Sequence, residues 1–240
     1  YARQADLVHL HLPQLDAALA ALIARLLGKP VVLVLLNGRP LSINWAAEHV
    51  PAILEAWEPG TEGGNAVADI LFGDANPCGK LPFTYPRHPN ALTPYDHKPL
   101  EAAEGNRYDP QFPFGHGLSY TTFEYGRIEL DRKLLRRGST LNVALTVKNT
   151  GTRPGKEVVQ LYITDAYGSI SRPVRQLKKF SKVALEPGEA ADQVGRVVLL
   201  DLHQVGAVDH AADHFVHIVG LAGVLRHDVI EALVGAHAVL

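Results

Sequence analysis

The sequence has no methionine, one cysteine and two tryptophans in 240 residues. Average usage would supply about five methionines in a chain of this length. The first residue is Tyr1, so the chain reads as an internal piece of a longer protein or a sequence that lost its start. A single cysteine, Cys78, excludes an internal disulfide framework and leaves the cellular compartment open. Charge of one sign is also missing. Lys and Arg number 23, Asp and Glu 25, and the net charge is −2, which excludes a general electrostatic grip on nucleic acid or an anionic membrane. No apolar run reaches the ~18 residues needed to cross a bilayer. No signal peptide is visible, although a missing start would remove one.

What is present is a 47% hydrophobic content, enough for a packed core. Residues 1–118 alternate helix-like and strand-like stretches. Leu15, Leu19, Leu22, Ile23, Leu26 and Leu27 follow helical spacing after Pro13. Residues 30–36 form a continuous β-branched run, which predicts a strand covered on both faces, as in a parallel sheet. Asn37-Gly-Arg-Pro40 is a turn at its carboxyl end. Ala52–Trp57 reads as the next strand and Glu62–Phe72 as a helix that Thr61 caps. This order predicts an α/β layer. Residues 73–118 are rich in proline and glycine and read as surface loops. Residues 119–190 carry alternating strands at Thr122–Leu130, Leu141–Lys148, Glu157–Thr164 and Val183–Leu185, separated by turns, which predicts a small β-sandwich.

Several motifs then recur in a definite order. They are Asn37-Gly-Arg-Pro-Leu41, Val50–Trp57, Pro59-Gly-Thr-Glu-Gly-Gly64, Leu71–Pro82, Phe112–Phe123, Val147-Lys-Asn-Thr-Gly151, Glu157–Tyr162 and Leu185-Glu-Pro-Gly-Glu189. Together they resemble the C-terminal half of a glycoside hydrolase family 3 enzyme, the β-glucosidase and β-xylosidase group, over roughly residues 1–190. The resemblance implies a fold class: part of an α/β/α sandwich domain at 1–118, then an all-β, immunoglobulin-like (fibronectin type III-like) sandwich at 119–190. It also implies an N-terminal TIM-like barrel that this chain does not contain. The implied function is part of an exo-acting, retaining β-glycosidase, most simply a β-glucosidase. A non-catalytic carbohydrate-binding or structural module is the alternative.

Retaining hydrolysis needs two carboxyl groups about 5–5.5 Å apart, one as nucleophile and one as acid/base. By resemblance the nucleophile is an Asp of the barrel, upstream of Tyr1, so the chain alone is expected to be inactive. The acid/base is a Glu whose position differs between branches. In members with a fibronectin-like domain it lies just before the segment matching residues 1–13. In a plant exohydrolase-like branch it lies in the Pro-Gly-x-Glu-Gly segment, which makes Glu62 the catalytic candidate here. The competing reading is a carboxylate stabilised by the amino end of a helix. The resemblance implies no cofactor and no metal. It implies as partners a β-linked oligosaccharide or aryl glycoside and the missing barrel, with no nucleic acid or membrane.

Other residues read as structural. Residues 73–80 fail the phosphate-loop pattern, because five residues separate the glycines and Leu81 stands where Ser or Thr would bind magnesium. Gly60–Gly63 lacks the dinucleotide-binding spacing. Cys78 reads as a small loop residue rather than a reactive thiol, Arg39 as an ion-pair brace rather than a ligand for sugar or carboxylate, His116 as a packing residue rather than a catalytic one, and Trp57 and Tyr120 as core or hinge rather than sugar-stacking platforms. Residues 191–240 form an atypical tail with 11 Val, 8 Ala and 6 His, and without Ser, Thr, Asn, Pro, Lys, Tyr or Trp. That composition suggests a shifted reading frame or a misjoined end. His210, His214 and His217 would share one face of a helix, but no acidic base accompanies them, and they read as accidental rather than zinc-binding. Residues 213–220 could form one last strand.

Overall fold

A computed structural model describes residues 32–91, 94–98, 108–132, 140–165, 173–198, 216–220 and 238–239. The helix expected over residues 15–27 lies outside them, as do His210 and His214.

In the first part, β1 (Val32–Leu35) and β2 (Ala52–Glu55) pair in parallel, from Val32↔Ala52 to Leu35↔Glu55. A parallel pair needs a crossover. Here it holds a short helix, α1 (Asn44–His49), where the sequence suggested only loop. Its buried Ala46 and the following Val50 anchor it. The expectation that the β1 run is covered on both faces holds only in part: Val32 and Leu36 are 44% and 56% exposed.

The helix α2 (Gly63–Phe72) begins one residue later than expected. Glu62, not Thr61, occupies the N-cap position, and no side chain caps the first turn. Gly63 is required: a Cβ there would lie 2.5 Å from the Pro59 ring. The helix ends at Gly73, whose φ of 84° is the left-handed cap glycine tolerates.

The second part is a two-sheet sandwich. In one sheet β5 (Thr140–Asn149) is flanked by β3 (Phe123–Tyr125), β4 (Glu129–Leu130) and β8 (Ala190–Val198). In the other, β6 (Gly155–Asp165) pairs with β7 (Gln176–Leu185) and β9 (Val216–Gly220), and β10 (Ala238–Val239) pairs with β9. The expected Thr122–Leu130 strand is split at Gly126, whose N–H turns to the Thr146 carbonyl at 2.7 Å. Strand β7 is much longer than the apolar Val183–Leu185 pattern. Its register with β6, from Gly155↔Leu185 to Ile163↔Gln176, sustains the polar stretch, and its lysines suit a sheet edge. The β5–β8 pairing carries the sheet through Val198, past residue 190.

Alternation on β5 builds the core. Leu141 and Val143 are buried in one cluster with Leu161, Ile163 and Val197, and Val147 in a second with Val159 and Leu185. Each such side chain contributes about 1.5–3 kcal/mol by leaving water.

Candidate functional site

Ligands of open α/β sheets bind beyond the carboxyl ends of the parallel strands, so the turns after β1 and β2 define the region to inspect. Glu55, the last residue of β2, is its hub. The carboxylate accepts the Trp57 backbone N–H at 3.0 Å, the Asn37 side-chain amide at 3.5 Å and the Tyr85 hydroxyl. It thereby ties the turn after β1, the turn after β2 and the loop carrying Tyr85 to one group. Tyr85 is 2% exposed. Burial, reinforced by the Glu55 carboxylate, pushes its hydroxyl above the ordinary tyrosine range. The loop is pinned in turn by backbone pairing between Tyr85 and Phe112 and by an Arg87–Asp109 ion pair of 3.0 Å.

Trp57 follows Glu55 with a φ of 50°. Its ring is half-buried, edge-on to Phe83 at 5.9 Å and tilted against Tyr85 at 6.2 Å. The turn continues through Gly60, φ 72°, to Glu62. Glu62 is exposed and accepts a hydrogen bond from the Asn65 amide at 2.8 Å. It sits at the amino end of α2, a place that stabilises a carboxylate.

Arg39 is exposed, and among the described residues its loop is braced by Asn37, whose amide donates to the Arg39 carbonyl at 2.8 Å, not by an ion pair of Arg39. Cys78 is a half-buried free thiol. The Tyr120 hydroxyl donates to the Ile70 carbonyl at 2.8 Å and joins the loop to α2. His217 lies on β9, a strand and not a helix. Sequence reasoning missed Glu55, Asn37 and Tyr85 as a set. The available signal was an acidic residue closing an otherwise apolar strand immediately before aromatic and turn residues.

The remaining motifs meet at the junction of the two parts. Lys80 reaches Glu157 at 3.1 Å and the Gly117 carbonyl at 2.9 Å. The Tyr125 hydroxyl donates to the same Glu157 carboxylate at 2.8 Å. Gln160 donates to the Gly115 carbonyl at 3.3 Å, and Phe114 meets Tyr162 edge-on at 6.4 Å. Asn76 donates to the Pro154 carbonyl at 3.0 Å. Gly115 (φ 84°) must be glycine, because a Cβ would lie 2.6 Å from the Gln160 oxygen. His116 stacks on Phe112 at 5.0 Å, and burial, then the charge of Lys80, holds its pKa below the usual histidine value.

Comparison with known proteins agrees with this arrangement. Residues 3–120 match the glycosyl hydrolase family 3 C-terminal domain, and residues 157–207 match a fibronectin type III-like domain. The periplasmic beta-glucosidase of Salmonella typhimurium is 46% identical over 176 residues, covering 68% of this chain and 23% of that protein. A beta-xylosidase of Formosa agariphila is 47% identical over 169 residues, with coverages of 68% and 23%. Thermostable beta-glucosidase B of Acetivibrio thermocellus is 42% identical over 199 residues, with coverages of 77% and 26%. The chain thus spans about a quarter of the length of these relatives. Among solved structures, the beta-glucosidase from Listeria innocua in complex with isofagomine aligns with a TM-score of 0.72 at 35% identity, covering 86% of this chain and 33% of that one. With α/β and fibronectin type III-like parts in the expected order, and relatives of one enzyme group over both, the chain belongs to glycoside hydrolase family 3.

Proposed function

We propose that this chain is the α/β and fibronectin-like portion of an exo-acting, retaining β-glycosidase, a β-glucosidase in the first instance. The observation that carries this reading is the identity of 42–47% to proteins named beta-glucosidase and beta-xylosidase over both parts of the chain. Solved relatives from Listeria innocua are described in complex with glucose and with laminaribiose, which favours glucosides over other sugars. In this reading the nucleophilic carboxylate belongs to a barrel outside these residues, in keeping with a chain that spans about a quarter of its relatives' length, and the chain alone is expected to give no turnover. Glu62 is the acid/base candidate within this chain. Its exposure beside the strand-end turns supports that role, and the two-carboxylate mechanism defines it: proton donor to the leaving oxygen, then base toward water.

The alternative, a structural module, has support for the fibronectin-like part alone. Glu157, Gln160 and Tyr162 all face the loops of the α/β part, as a brace would.

The test is hydrolysis of 4-nitrophenyl β-D-glucoside by the chain alone and by the chain joined to its upstream sequence. The expected result is background release by the first and turnover by the second. Turnover by the chain alone would overturn the division of catalytic groups, and inactivity of the longer protein on β-glucosides and β-xylosides would overturn the function.

A further inference from the structure

We propose that Trp57 and Phe83 form a stacking platform for one pyranose ring of a β-linked glucoside, with Arg39 and Glu58 as its polar rim. The proposal deepens the glycosidase reading and rests on it for the class of sugar.

The backbone of Trp57 is the first observation. A bulky residue rarely adopts a φ of 50°, and such strain persists where surrounding contacts impose it, often at ligand sites. The Glu55 carboxylate holds this turn by accepting the Trp57 N–H at 3.0 Å. The strained turn fixes the direction of the indole. Placement is the second observation: Trp57 stands just past the carboxyl end of a parallel strand, where α/β sheets bind ligands.

The third is an aromatic surface that is open in front and rigid behind. Phe83 is 55% exposed and meets Trp57 at 5.9 Å with an interplanar angle of 64°. Tyr85 backs the indole at 6.2 Å and is itself held by Glu55 and Phe112. The fourth is the rim. Arg39 and Glu58 are both exposed on the two strand-end turns. Those turns are in contact, since a Cβ on Gly38 would lie 2.8 Å from a Glu58 carboxylate oxygen.

The ligand chemistry follows from these groups. The hydroxyls of a β-glucosyl ring are equatorial, so its axial C–H bonds form an apolar face. That face packs on the negative face of an indole. The equatorial hydroxyls then point outward, where a guanidinium and a carboxylate can donate to and accept from them. Few convergent polar groups around an apolar surface is the usual makeup of a small-molecule site.

The chain holds two tryptophans, Trp45 and Trp57, so the Trp45→Phe protein reports on Trp57 alone. Titrating that protein with cellobiose and with laminaribiose should give a saturable change in emission, with a Kd of about 1 mM. Phe83→Ala should weaken binding about tenfold, by calorimetry. Trp57→Tyr should retain binding and Trp57→Leu should lose it, with far-UV circular dichroism unchanged. No saturable signal, or equal binding by the Phe83→Ala protein, would overturn the proposal. If Trp57→Leu fails to fold, the Phe83→Ala result decides, because Phe83 is largely solvent-exposed. Hydrolysis by the longer protein is read separately, so a failed platform leaves the glycosidase reading intact.

Discussion

Lys80 and Glu157 form an ion pair of 3.1 Å across the junction of the two parts, with side chains only 12% and 4% exposed. The pair joins the Leu71–Pro82 motif to the Glu157–Tyr162 motif, far apart in sequence. Both charges are largely out of water, so each depends on the other. Removing one partner leaves an uncompensated buried charge, which costs about 3–5 kcal/mol. Lys80→Met should therefore destabilise the chain by about that amount in urea unfolding, and adding Glu157→Gln should restore part of the loss. Strictly additive single and double variants would show that the pair is not coupled.

Asn149 offers a second prediction within the sandwich. It is fully buried and satisfies four groups: it accepts from the Thr121 hydroxyl at 2.7 Å and the Gly151 N–H at 3.0 Å, and donates to the Arg153 and Leu185 carbonyls at 2.8 and 3.0 Å. Asn149→Ala strands these partners, each unsatisfied buried group costing about 1–3 kcal/mol. The expected loss is about 3 kcal/mol by chemical denaturation, and Asn149→Asp should recover only the accepting half.

Two adjacent glycines should respond with opposite signs. A methyl at Gly63 would overlap the Pro59 ring at 2.5 Å, whereas nothing lies within 4 Å of one at Gly64. Gly63→Ala should cost about 1–3 kcal/mol by overpacking. Gly64→Ala in the same helix should be neutral or stabilising, by up to about 1 kcal/mol. Thermal midpoints of the two variants compare them directly.

The pH dependence near neutrality should include His116. Its folded pKa is depressed, by burial first and by Lys80 second. The unfolded chain therefore takes up a proton on His116 before the folded one does. Its contribution is present above the ordinary value of about 6.5 and is lost as pH falls through that value toward the folded pKa. His116→Phe should flatten this part of the stability profile while keeping the stack on Phe112. A proton NMR titration placing the His116 midpoint at or above the ordinary value would contradict it.

Much of the fold was legible in residue patterns. The β-branched run through β1 and the period-two alternation on β5 announce strands, and both strands appear, although only β5 carries buried residues. What failed were elements held by tertiary pairing. Helix α1 is six residues long, too short for periodicity to reveal. Half of β7 is polar and its middle is exposed, so its register with β6, not an apolar pattern, makes it a strand. Strand β8 lies where the family motifs stop, yet Val197 still fills the core opposite Leu141. At the candidate site, Glu62 could be nominated from sequence because its motif, Pro59–Gly64, is local. The Glu55 hub could not, because Asn37 and Tyr85 reach it from 18 and 30 residues away.

The most direct test of the account is the anomeric configuration of the sugar first released by the longer protein from an aryl β-D-glucoside, followed by proton NMR. Double displacement through two carboxylates predicts that β-glucose appears first and mutarotates afterwards. Initial α-glucose, or no glucose at all, would contradict it.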